Sequence, residues 1–204
     1  MKIDPVNLDW RDSHELLVGA VVPRPIAFVS TIGEDGVFNV APYSFFTSVA
    51  VKPMLIGFTA GWKRDRHKKD TLVNIEFSRD FVVNVVTETL AEPMNQASAG
   101  YPSDVDEFKE VGLTPAKADL VKSPMVAESP INMECRLVQI LEFGDAPRRS
   151  SFIIGEVVRV HVKDELYMNG EIQMHKLQAT ARMGGEFYCR TRDIFKMKRP
   201  EPLF

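Results

Sequence analysis

Two strings decide the fold: Asn39-Val40-Ala41-Pro42-Tyr43-Ser44-Phe45-Phe46-Thr47-Ser48, and downstream Lys68-Lys69-Asp70-Thr71-Leu72-Val73-Asn74. The first is strand-like, interrupted at Pro42, and crowded with hydroxyls and aromatics. The second sets basic residues directly before a helix start. Upstream, Pro23 and Pro25 force an extended entry into a strand over residues 26–32. Gly33-Glu34-Asp35-Gly36 reads as a hairpin turn, because Asp-Gly tolerates positive φ. The chain returns through residues 37–41, continues as a strand over 44–51, corners at Lys52-Pro53, and forms another strand over 54–59. Strand candidates so closely spaced predict a barrel or sandwich rather than βαβ units.

Further along, a helix is expected over residues 70–78, with Asp70 as N-cap and Leu72, Ile75 and Phe77 as its apolar side. Phe81 to Val86 reads as a buried strand. Helical segments follow near 91–99, where Pro93 is tolerated in a first turn, and from Asp104 to Val111, with Asp104 as cap and Gly112 as stop. Two long strands come next. In one, the apolar positions shift from Leu137 to Val138, which predicts a bulge; in the other, Phe152, Ile154, Val158, Val160 and Val162 share a face. Asn169-Gly170 marks a turn, residues 173–177 a helical turn, and residues 186–189 a last strand. The expectation is one β-rich domain over residues 1–204 with inserted helices, and residues 1–22 as an N-terminal helical extension.

Composition narrows the function. With 204 residues, 45% apolar and 26% charged, the chain suits a globular core. A net charge of −3 argues against nucleic acid or anionic membrane as partner. No apolar run approaches the ~18 residues of a membrane helix. Residues 1–5 lack a signal-peptide core, and Cys135 and Cys189 form no metal or redox spacing; a cytoplasmic location is expected, with no disulfide favoured.

The chemistry-bearing motifs are few. Lys63-Arg64-Asp65-Arg66-His67-Lys68-Lys69 precedes the helix at Asp70, and a helix N-terminus attracts phosphate through unpaired N–H groups and its dipole. Lys69 and the Thr71 hydroxyl would complete such a site. Alone, the run reads better as a solvated charged loop ahead of a capped helix. Ser44 and Ser48, with the backbone around Pro42, offer a polar edge beside aromatic faces, which suits a planar ring; singly, Phe45 and Phe46 read as core. Taken together, the two motifs fit a flat, phosphate-bearing ligand. His14, His67, His161 and His175 have no metal-ligand spacing, and a zinc site built from Cys135, Cys189, His161 and His175 is disfavoured. Neither a dinucleotide-binding glycine fingerprint, nor a P-loop, nor a Gly-x-Ser-x-Gly elbow occurs.

At these residues the sequence resembles the flavin reductase-like family, whose fold is the FMN-binding split β-barrel. The resemblance is carried by residues 23–31 (PRPIAFVST), 39–46 (NVAPYSFF) and 69–75 (KDTLVNI). It extends to Asp106-Glu107-Phe108, Gly155-Glu156-Val157, Arg182-Met183-Gly184-Gly185 and Tyr188. It implies a homodimer with one FMN per subunit, near the subunit interface. Phosphate binding carries over to Lys69 and Thr71, with Asp70 as cap and Asn74 in support. Ring contacts carry over to Tyr43, Ser44, Phe45, Phe46 and Ser48, with Ser30 and Thr31 nearby, and then to Arg182, Gly185 and Tyr188. The implied activity is an NAD(P)H:FMN oxidoreductase, taking NADH or NADPH as donor and passing electrons to a second flavin, oxygen, a monooxygenase or a metal centre. The alternative is a flavoredoxin-like FMN electron carrier without its own turnover; a split barrel holding haem or pyridoxal phosphate is the third reading.

Overall fold

The computed structural model describes residues 1–63, 65–145 and 148–200. In chain order it contains α1 (Trp10–Ala20), β1 (Arg24–Pro25), β2 (Ala27–Ile32), β3 (Phe38–Tyr43), β4 (Phe46–Ala50), β5 (Leu55–Gly61), α2 (Asp70–Ser78) and β6 (Asp80–Val85). Then come α3 (Ala91–Gln96), α4 (Glu107–Glu110), β7 (Pro115–Ala116), β8 (Met125–Val126), β9 (Ile131–Phe143) and β10 (Ser150–Val162). The hairpin β11 (Tyr167–Met168) and β12 (Glu171–Ile172), α5 (Met174–Leu177), β13 (Thr180–Arg182) and β14 (Tyr188–Arg190) complete it.

Seven strands form one antiparallel sheet in the order β3-β2-β6-β9-β10-β5-β4. Its two edge strands, β3 and β4, are joined only by Ser44 and Phe45. Six inter-strand spacings of about 4.8 Å would put the edges of a flat sheet roughly 29 Å apart, whereas two residues reach only about 10 Å. The sheet therefore curls until its edges meet, as a barrel left open between β3 and β4. The Phe45 carbonyl, at that seam, accepts the Thr59 amide at 2.9 Å. This is the mainly β, split-barrel architecture expected from the sequence.

The strands alternate between two cores. Ala27, Val29, Tyr43, Phe58, Phe81 and Ile153 fill the barrel with Leu72 and Ile75 of α2, while Phe28, Val40, Leu90, Met94, Phe108 and Val126 pack outside it under α3 and α4. The bulge in β9 is present: Leu137 and Gln139 pair with Gly155 and Ile154, leaving Val138 extra. A second bulge leaves Val158 unpaired, so the expected single face of β10 is broken. Its buried residues are Ser151, Ile153 and Gly155 instead, and Gly155 is bare because the Phe81 ring fills the space of a Cβ.

Helix starts also shift. Lys69, not Asp70, is the N-cap of α2, without a side-chain cap bond, because the Asp70 carboxylate is held by the Lys63 ammonium at 2.8 Å. The third helical segment begins at Glu107 with Asp106 as its N-cap residue, rather than at Asp104. Pro93 does fall in the first turn of α3. Within the N-terminal extension, α1 starts at Trp10 because the Asp9 carboxylate accepts the Asp12 amide at 2.8 Å and caps it. Among the described residues no helix is long and apolar enough to cross a membrane.

Candidate functional site

Where β3 hands over to β4, the start of α2 faces the same space. Two cavities open there, of about 580 and 300 Å³, sizes usual for small-molecule sites. They share Pro42, Lys69 and Ser98 as walls. The two strings singled out from the sequence thus converge: Ser44 and Phe45 line the larger cavity, Tyr43 and Thr71 the smaller, and Lys69 stands between.

The smaller cavity is built at the N-terminus of α2. No side chain caps this helix, so the amides of Asp70 and Thr71, both cavity-lining residues, have no intrahelical partner. Lys69 lays its ammonium 5.3 Å from the centre of the Tyr43 ring. Among the described residues that ammonium makes no ion pair or hydrogen bond, and burial lowers its pKa, opposed by nearby Glu107. Glu107 faces the same cavity from α4 and accepts the Val40 amide, on the open edge of β3, at 2.7 Å. Burial pushes its carboxyl up to about 7, with the Asp70 charge adding to the shift and the Val40 bond opposing it. Tyr43 is buried, and its hydroxyl has no hydrogen-bond partner although Thr71 lies beside it. The Thr71 hydroxyl is donated to Asn39 Oδ1 at 2.7 Å, and the Asn74 amide donates to Thr31 at 3.0 Å. Thr31, Asn39, Thr71 and Asn74 therefore form one polar network that pins α2 to the β2–β3 hairpin.

The larger cavity is closed by elements distant in sequence. β1 pairs with β13, setting Arg24 opposite Arg182. Arg24 is buried and donates to the carbonyls of Val18, Val21 and Met183, and to the Ser44 hydroxyl at 3.5 Å. Arg182 stacks over Tyr188 at 4.4 Å and bonds the Gly185 carbonyl. The Tyr188 hydroxyl donates to Asn95 of α3 at 3.1 Å, and His14 of α1 forms part of the opposite wall.

Some expected residues lie elsewhere. Ser30 points away from Thr31 into the outer core, donating to the Pro124 carbonyl and accepting from Asn84. Phe46 is half-buried against the barrel core, and Ser48 is exposed on edge strand β4; neither lines either cavity. Asp70 and Asn74 also border a separate cavity of about 420 Å³, whose walls include Glu34 and Asp35 and so disfavour an anion. Arg64, in the basic run, lies outside the described residues. Arg24 was missed as a wall residue, although an arginine between two prolines in an otherwise apolar stretch was its signal. His14, Asn95 and Ser98 gave none.

The cysteines are both free thiols. His161 lies not with them but 2.6 Å from Glu134 and 3.9 Å from Asp119. Glu134 already accepts the amides of Asp119, Leu120 and Val121, so this cluster serves to anchor the loop of residues 119–121.

Comparison with known proteins agrees with this geometry. Residues 14–176 match the model of the flavin reductase like domain. A protein of Halalkalibacterium halodurans is 37% identical over 202 residues, covering 98% of this chain and 97% of its own. Nitrilotriacetate monooxygenase component B from Bacillus cereus superposes with a TM-score of 0.93 at 33% identity, covering 97% of this chain and 98% of its own. The 2-nitrobenzoate 2-nitroreductase NbaA of Pseudomonas fluorescens does so at 0.89 and 31%, covering 98% and 96%. With an open barrel, a cation between two cavities at its seam, and a match spanning most of its length, the chain belongs to the flavin reductase-like family.

Proposed function

We propose that the protein binds FMN in the paired cavities and works as an NAD(P)H-dependent flavin reductase, as a homodimer, handing electrons to an acceptor such as a partner monooxygenase. The observation that carries the reading is Lys69, a desolvated cation with no ion pair or hydrogen bond among the described residues, placed over the ring of Tyr43, whose hydroxyl is unpartnered, and beside the Asp70 and Thr71 amides that open α2. A phosphate answers all three at once. In this reading Lys69, Tyr43 and the α2 amides hold the phosphate. Ser44, Phe45, Arg182, Gly185 and Tyr188 line the ring side, while Thr31, Asp70, Thr71 and Asn74 keep the helix start in place.

When bound, FMN supplies the two-electron chemistry, accepting hydride from a nicotinamide. The protein orients the rings and provides a positive field. Arg24 and Arg182, adjacent across β1 and β13, favour the negative charge that arrives with hydride. No side chain needs to act as acid or base. The reading of this structure as one half of a dimer is supported by exposed Val49, Val51 and Met54 beside edge strand β4. The relatives include a monooxygenase component, which supports an oxygenase as acceptor.

Anaerobic addition of NADH and NADPH to the FMN-loaded protein tests the proposal. Loss of the oxidised flavin absorbance with either nucleotide supports it. FMN that binds but stays oxidised with both leaves an electron carrier instead.

A further inference from the structure

On the far side of α1 lies a cavity of about 430 Å³ that the FMN site does not use. Its walls are Trp10, Arg11, Gly61, Trp62, Arg148, Arg149 and Ser150. Two indoles and three guanidiniums meet there. Arg148 lies over Trp10 at 4.9 Å and Arg149 over Trp62 at 5.0 Å. Trp62 is fixed by its indole N–H, donated to Ser151 at 3.2 Å, and by its amide, donated to the Arg149 carbonyl. The one carboxylate that answers these cations among the described residues is Glu142, 3.1 Å from Arg149. The cavity thus keeps a surplus of positive charge, carried by guanidiniums laid over aromatic rings. Such a surface suits a planar base carrying phosphate, since guanidinium both stacks on rings and grips phosphate through paired N–H groups.

This cavity and the ring-side cavity flank one stacked pair. Trp10 and His14, one turn apart on α1, stack with centroids 5.2 Å apart and planes 16° apart. Trp10 borders the first cavity and His14 the second. One helical turn advances only about 5.4 Å, so a dinucleotide lying across α1 reaches both sides.

We infer that the Trp10–Trp62–Arg148–Arg149 cavity receives the adenosine end of the nicotinamide donor, and that its arginines select the 2′-phosphorylated form, NADPH. The inference rests on the reductase reading above. Stacking on the guanidinium planes that the indoles hold serves any adenine nucleotide, whereas the in-plane N–H groups of Arg148, which has no carboxylate partner among the described residues, distinguish the extra phosphate.

The test separates the two claims by using nucleotides that cannot donate hydride. Adenosine 2′,5′-bisphosphate and adenosine 5′-monophosphate are titrated calorimetrically into the FMN-loaded protein at low salt. The bisphosphate is expected to bind about tenfold more tightly, the scale of one charge-assisted contact. In Arg148→Ala that preference should vanish while Tm and FMN affinity hold; in Trp10→Ala both nucleotides should weaken together. Equal affinities in the wild-type protein, or a preference that survives Arg148→Ala, would overturn the assignment. If that happens while NADH still reduces the flavin, the reductase reading stands and only this cavity loses its role. If neither donor reduces the flavin, the reductase reading falls and takes this inference with it.

Discussion

The ammonium of Lys69 rests 5.3 Å from the centre of the Tyr43 ring, with the Tyr43 hydroxyl buried and unpartnered alongside. This contact joins the strand at one edge of the sheet to the helix that follows β5, the neighbour of the other edge strand. An unpartnered buried hydroxyl costs a fold about 1–3 kcal/mol. Tyr43→Phe should therefore leave the apoprotein as stable as wild type or more so, while weakening FMN. Paired denaturant melts and FMN titrations check this; a variant that loses stability and keeps its FMN affinity would place the hydroxyl's partner elsewhere.

Glu107 predicts a pH dependence. Its folded pKa, about 7, is raised above the ordinary carboxylate value by burial. A raised pKa means that the group's stabilising contribution is complete below its unfolded value and is lost as pH rises through about 7. Apoprotein stability should thus fall between roughly pH 5 and 8, and Glu107→Gln, which keeps an acceptor for the Val40 amide, should flatten the slope. A bound phosphate dianion pushes the same proton on more firmly. FMN affinity should then drop by up to about tenfold per pH unit above neutrality, where the phosphate is already fully charged, and that drop should disappear in Glu107→Gln.

Gly155 shows how tightly β10 lies against β6. A methyl group at this position would enter the ring of Phe81 in the barrel core. Gly155→Ala should destabilise by about 1–3 kcal/mol through overpacking, read as a shift in the denaturation midpoint. Gly19, on α1 with nothing near its missing side chain, should accept alanine without loss.

The seam itself was legible because its signals are local. Proline interrupts the strand at Pro42, Asp35-Gly36 turns the hairpin, and lysines precede a short amphipathic helix; each depends on neighbours a few residues away. The part of the ring-side wall built on Arg24 was not legible, because Arg24 and Met183 meet through a bond between residues 159 apart. No periodicity in the sequence announces such a pairing. The N-cap of α2 was misplaced for a related reason: the Asp70 carboxylate suits capping by type, but Lys63 claims it through a contact seven residues back. Thr71 illustrates the same competition, since its hydroxyl is spent on Asn39. Its loss should therefore affect the placement of α2 as much as ligand binding.

Lys69 is accordingly the cleaner probe of the site. Titrating FMN and riboflavin into wild-type protein and Lys69→Ala measures whether a phosphate sits at the start of α2. FMN should weaken by about tenfold or more, the cost of one lost charge-assisted contact, while riboflavin changes little. Equal weakening of both, or none of either, would contradict the placement of the phosphate between Lys69 and Tyr43.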